Sequence, residues 1–195
     1  MLRNLLPFTF FLPLIAMSQT NVTIHCTFQS SANDTVKVIP AQYFIEEYEK
    51  SYVAVTANDQ CDFSFPVSKP TMAKLIFRQQ SIPIYLEPGD EVIMNAGVGD
   101  SLYKAVTFSG NTQVHNDFLA SFYQNFHSDF DEASINRDIL SMDADAFEMK
   151  IFDERRKQLD FYNKSNDKSL FSDSFKKFME NMIRYHYYAR LLSYP

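Results

Sequence analysis

From Val22 to Phe28 apolar and polar side chains alternate, with Val22, Ile24, Cys26 and Phe28 on one side and Thr23, His25, Thr27 and Gln29 on the other. Period two is the mark of a half-buried strand. Similar runs follow at Thr35–Ile39 (closed by Pro40), Ser51–Thr56, Asp62–Val67, Ala73–Arg78, Pro83–Leu86, Glu91–Ala96 and Lys104–Phe108. Turn chemistry separates them. Ser30–Asp34 and Ala57-Asn58-Asp59-Gln60 have turn character, and Pro88-Gly89-Asp90 makes a tight turn in which Pro fixes φ and Gly accepts a positive one. About eight short strands, with turns every 8–12 residues, suggest an antiparallel sandwich or barrel, and a β-sandwich over 19–110 is the expected form. A parallel βαβ sheet would need helices between strands, and only Ala41–Lys50 could be one.

After Gly110 the period becomes helical. Phe118, Phe122, Phe126 and Phe130 recur every four residues; Phe147, Ile151 and Leu159 give a second stripe; Phe171, Phe175, Phe178, Met182, Tyr185 and Leu192 give a third. About three helices over 111–195 are expected, docked as a layer because helices of this length need packing partners. The fold class is therefore α+β, a sandwich followed by helices. Ser172 or Asn166 could cap the third helix. In that helix Phe178, Met182, Tyr185, Ala189 and Leu192 are expected to face inward. Tyr187, Tyr188 and Tyr194 cannot all share that face at about 100° per residue. They are the expected partner surface, for a separate protein or for self-association.

The first residues carry an address. Arg3 supplies a positive start, Leu5–Ala16 is apolar, and Ala16-Met17-Ser18 is a small-x-small cleavage pattern before Gln19. The apolar run is about 12 residues, against roughly 20 for a spanning helix, so residues 1–18 are read as a secretory signal peptide. The expected location is the periplasm or cell envelope, with membrane attachment only through an uncleaved signal. The C-terminal aromatic helix stops one residue after Tyr194, the pattern of a piece of a longer protein.

Composition narrows the chemistry. The chain carries 18 basic and 24 acidic residues, a net charge of −6, and only 4 Gly. No nucleic-acid partner is expected from such a balance, and little Gly is left for a phosphate-cradling loop. Export permits a disulfide between the two cysteines, Cys26 and Cys61; buried free thiols are the alternative. The absence of Cys-x-x-Cys argues against redox catalysis. The four histidines, His25, His115, His127 and His186, show no metal-binding spacing. No cofactor and no catalytic motif is read. Asp129, Asp131 and Glu132 cluster after the first helix and could serve a hydrolase, whereas Asp143 and Asp145 have a structural reason at a helix N-terminus. A structural surface protein is a further alternative.

The ordered set Ile84-Tyr85-Leu86-Glu87-Pro88-Gly89-Asp90-Glu91-Val92, Val106-Thr107-Phe108-Ser109-Gly110-Asn111 and Asn116-Asp117-Phe118-Leu119 resembles the N-terminal region of exported TlpA-like thioredoxin-family proteins of Bacteroidetes type. The resemblance runs over roughly 21–195. In that family a β-sandwich domain of unknown function and a helical region precede a catalytic thioredoxin domain. This chain has no Cys-x-x-Cys, so no catalytic residue carries over. The resemblance implies a non-catalytic accessory or interaction module.

Overall fold

A computed structural model describes residues 20–42, 45–46, 50–97 and 105–195. The expected signal segment 1–18 and most of the acidic stretch 43–50 lie outside them. The described residues form an α+β fold with the strands first and the helices after. Nine strands are present: β1 (Thr20–Phe28), β2 (Thr35–Gln42), β3 (Ile45–Glu46), β4 (Tyr52–Val55), β5 (Gln60–Val67), β6 (Thr71–Phe77), β7 (Gln80–Leu86), β8 (Glu91–Ala96) and β9 (Val106–Gly110). They make two sheets, β5-β1-β8-β9 and β3-β2-β6-β7, with β4 also on β2.

Two details differ from the expected sandwich. The β1–β8 pair is parallel, Ile24 opposite Val92 and Cys26 opposite Met94. The intervening chain crosses to the other sheet and returns, a connection long enough to bring β8 back in the same direction. Pro40 does not close β2; it sits inside it, opposite Ala73. Its missing N–H is tolerated because β2 changes partner there, bonding β4 through Thr35–Val38 and β3 through Ala41–Gln42.

The alternation predicted for β1 is observed, with Val22, Ile24, Cys26 and Phe28 all buried. Between the sheets they meet Val36, Val38, Leu75, Ile82 and Ile84. Strand β7 is covered on both faces. Ile82, Ile84 and Leu86 enter the sandwich core, while Tyr85 points into a second core made by the helices.

Among the described residues four α-helices follow, α1 (Gln113–Phe126), α2 (Glu132–Ser141), α3 (Ala144–Asn163) and α4 (Asp173–Ser193). The additional one, α2, is a ten-residue helix whose single buried residue is Asp138; its apolar Ile135 and Ile139 are only half-buried and span one turn, too short a stripe to read. Asp131, Asp143 and Ser172 cap α2, α3 and α4 by accepting the N–H of Ser134, Ala146 and Phe175. Helix α1 packs on β7 and β9, the edge strands of the two sheets. Ala120 joins the sandwich core, while Phe118, Leu119 and Phe122 join the helical one.

The junction consumes the polar residues of the segments 84–92 and 106–119. Asp90 accepts the N–H of Glu87 across the turn. Asn111 Oδ1 accepts the Glu91 N–H at 3.0 Å, and Asp117 Oδ1 the Phe108 N–H at 3.3 Å. Gly110 has φ +103°, and a Cβ there would lie 2.1 Å from the Glu91 carbonyl oxygen. These residues have structural work that accounts for their presence.

Candidate functional site

Helix α4 has two unlike faces. Phe175, Met179, Met182, Ile183 and Arg190 point inward. Tyr185 is 52% exposed, Tyr188 47% and Leu192 84%, and Ala189 is exposed beside them. The expectation that Tyr185, Ala189 and Leu192 face the core is therefore corrected: the buried stripe is rotated by about 90° from the one that apolar periodicity alone selects. The cause is Arg190. The residue is 3% exposed; its Nη2 donates to Asp138 Oδ2 at 3.2 Å, and its Nη1 to Glu154 Oε2 at 3.0 Å and to the Asp129 carbonyl at 3.1 Å. Lys150 joins through Asp138 Oδ1 at 2.6 Å. A charged inner residue fixes the helix phase, and four aromatic or aliphatic positions are left outside.

The expected partner tyrosines fall in three environments. Tyr188 is exposed. Tyr187 is half-buried, edge-on to Tyr188 and beneath the Arg155 guanidinium, which lies 4.8 Å from the ring centroid. Tyr194 is half-buried, packs on Phe147 at 4.8 Å and donates to the Met142 carbonyl at 2.9 Å. The exposed surface at 185, 188, 189 and 192 thus takes one of the three expected residues.

Beside this stripe a cleft of about 1010 Å³ opens between α4, the end of α1 and the outer face of β6 and β7. Met72, Pro83, Phe130, His127, Met182, Tyr185 and His186 line it, with Lys74, Asp131 and Glu132 contributing charge. His186 stacks on Phe130 at 4.1 Å, and its Nε2 has no hydrogen-bond partner among the described residues. Burial, with the Arg190 charge adding to it, pushes its pKa down to about 4, so the ring is neutral at pH 7.

Asp131 and Glu132 share this cleft, but Asp129 lines a different one, between α1, α2 and α3. Asp129 accepts from Gln158 Nε2 at 2.8 Å, and Asp131 is occupied as the α2 cap. The three expected carboxylates therefore do not converge. Histidines 115 and 127 separate as well, since His115 lies in the helical core against Phe175 while His127 lines the cleft.

A polar cluster unseen in the sequence joins β7 to α4. Glu87 Oε1 accepts from Tyr85 Oη at 2.9 Å, from Ser172 Oγ at 2.6 Å and from Ser174 Oγ. His115 Nε2 accepts the Ser172 backbone N–H at 3.0 Å. Ser, His and Glu are thus adjacent without forming a relay: the imidazole takes the amide proton, not the hydroxyl proton, and the carboxylate holds the serine instead of orienting the histidine. Burial holds the His115 pKa below its ordinary value; the three hydroxyl donors offset burial at Glu87 and bring its carboxyl below its own. The cluster ties the start of α4 to the sandwich.

Cys26 and Cys61 are both buried free thiols, opposite each other in the β1–β5 ladder. Among the described residues no group of three or more His, Cys, Asp or Glu is arranged to hold a metal, and no helix is long and apolar enough to cross a membrane. Comparison with protein-family models and with curated proteins returns no match.

Proposed function

We propose that the chain is a non-catalytic, exported interaction module that pairs with a second copy of itself through the outer face of α4. The observation that carries this reading is the contiguous exposed stripe Tyr185, Tyr188, Ala189 and Leu192, spaced i, i+3, i+4 and i+7 along one helix. The stripe is self-complementary. In an antiparallel pairing about a two-fold axis between 188 and 189, Tyr185 meets Leu192 of the second copy and the large Tyr188 meets the small Ala189. The same pairing brings exposed Arg184, whose guanidinium lies over Tyr185 at 4.9 Å, to the helix C-terminus of the second copy, where a cation is favoured. A single helix face is small against the usual 1,200–2,000 Å² of a stable complex, so the dimer is a weak one.

The resemblance to the region that precedes the thioredoxin domain in TlpA-like proteins supports the same class of role, and the signal pattern at 1–18 supports export. Sedimentation over a concentration series tests the pairing. The wild type should self-associate, and Tyr188→Ser with Leu192→Ser should weaken it at least tenfold, because each buried side chain of this size contributes about 1.5–3 kcal/mol. Leu140→Ser, at an 86% exposed position on α2, should leave it unchanged. A wild type that stays monomeric throughout ends the reading.

A further inference from the structure

We propose that Cys26 and Cys61 are a dithiol that closes to a cross-strand disulfide by thiol–disulfide exchange, with Cys61 as the sulfur that meets the oxidant. The pair is independent of the α4 face. Cys26 and Cys61 are direct partners in the antiparallel register. In that same register Phe28 N–H donates to the Asp59 carbonyl at 2.8 Å. Hydrogen-bonded and non-bonded pairs alternate along such a ladder, so Cys26 and Cys61, two residues back, are a hydrogen-bonded pair with Cα atoms about 5.5 Å apart. That is the commonest separation across a disulfide. Both side chains are buried on the same face of the sheet, so the two sulfurs face each other and a small local approach of the edge strand β5 closes the bond.

The order of reaction follows from topology. Strand β1 is enclosed by β5 on one side and β8 on the other, whereas β5 is an edge strand. Cys61 is the second residue of β5, directly after the turn in which Asn58 and Asp59 both take positive φ. Opening of that hairpin end uncovers Cys61 while Cys26 stays enclosed. The contact between the thiols acts in the same sense. A hydrogen bond from Cys26 lowers the Cys61 pKa, and that contact with burial raises the pKa of Cys26, so Cys61 is the readier thiolate.

In the exchange, the Cys61 thiolate attacks one sulfur of a low-molecular-weight disulfide. That S–S bond breaks, one thiolate leaves and takes up a proton, and a mixed disulfide remains on Cys61. Cys26 then loses its proton and attacks Cys61 Sγ, releasing the second thiol. Two protein thiols are oxidised by two electrons and one reagent disulfide is reduced to two thiols. The closed loop contains β2, β3 and β4, so the bond staples the excursion of the chain from one sheet to the other.

The test titrates the full chain with oxidised and reduced glutathione, followed by acid quench, alkylation and peptide mass mapping. The expected product is a Cys26–Cys61 cross-linked peptide, preceded in early quenches by a glutathione adduct on Cys61. Cys26→Ser should accumulate that adduct; Cys61→Ser should react at least tenfold more slowly at Cys26. The oxidised wild type should melt about 8–15 °C higher than the reduced form. The wild-type measurements stand if a variant fails to fold. Two cysteines that remain alkylatable at every glutathione ratio, or adducts on both without a cross-link, overturn the proposal, and an early adduct on Cys26 overturns the order.

Discussion

Asn116 on α1 pairs with the backbone of Tyr85 as a neighbouring strand would. Its Oδ1 accepts the Tyr85 N–H at 2.8 Å and its Nδ2 donates to the Tyr85 carbonyl at 3.1 Å. Tyr85 lies in β7, the last strand of its sheet, so one side-chain amide closes a sheet edge and docks a helix. Asn116→Ala removes both bonds and leaves two buried backbone groups unpaired, at a cost of roughly 2–4 kcal/mol. Asn125→Ala, which removes an exposed bond to the Ser121 carbonyl, should stay within about 0.5 kcal/mol of wild type. Urea denaturation of both variants checks this; equal midpoints would refute it.

Arg190 is enclosed with Asp138 and Glu154. Arg190→Leu leaves the largely enclosed Asp138 and Glu154 carboxylates with Lys150 as their one remaining cation and should cost roughly 3–5 kcal/mol. Replacing all three residues together, with Arg190→Met, Asp138→Leu and Glu154→Met, should restore most of that stability, because the enclosed guanidinium and both its carboxylates go together and only Lys150, whose side chain is 37% exposed and can reach water, loses its partners. Thermal unfolding of the single and triple variants measures the difference. A triple variant no more stable than the single one would contradict it.

The two positive-φ glycines separate conformation from space. Gly89 (φ +86°) has nothing nearer than 3.8 Å to an added Cβ, whereas at Gly110 (φ +103°) the Glu91 carbonyl oxygen is at 2.1 Å. Gly89→Ala should cost about 1–2 kcal/mol of backbone strain. Gly110→Ala must also displace β8 from β9, and its soluble yield and melting temperature should fall well below those of Gly89→Ala. Similar behaviour of the two variants would refute this.

The strands of the sandwich were legible because one face of each meets a single apolar core, which writes period two into β1, β5 and β8. Tyr85 was not legible as a helix contact, because β7 is buried on both sides and alternation there says nothing about which core each face meets. The phase of α4 is not legible for the opposite reason. Apolar periodicity counts Arg190 as outward, but three oxygen acceptors from Asp129, Asp138 and Glu154 hold it inside, and all of them are distant in sequence. The Glu87, His115, Ser172 and Ser174 cluster draws its members from three parts of the chain and has no local spacing to reveal it. Asp129 and Asp131, two residues apart, are divided between clefts by the capping turn that Asp131 itself makes.

Acid titration sets the buried Asp90 against the half-buried His186. Burial holds the Asp90 carboxyl up at about 6, above its ordinary 3.8, and burial holds the His186 imidazole down at about 4, below its ordinary 6.5. The raised acid binds its proton more tightly in the folded state. Its contribution is full below about pH 3.8 and is lost as pH rises through 6. The lowered histidine does the reverse: its contribution is full above about pH 6.5 and is lost as pH falls toward 4. Between pH 4 and 6.5 the two oppose each other, Asp90 by on the order of 2–3 kcal/mol and the part-exposed His186 by somewhat less. Asp90→Asn keeps a neutral side chain at the Glu87 N–H and should match wild type near pH 4 while exceeding it at pH 7, so its stability falls more steeply on acidification. His186→Phe keeps the stack on Phe130 and should gain on wild type as pH drops from 6.5 to 4. Urea denaturation at pH 4, 5, 6 and 7 reads both slopes, and curves that run parallel to wild type for both variants would show that neither group titrates with a shifted affinity.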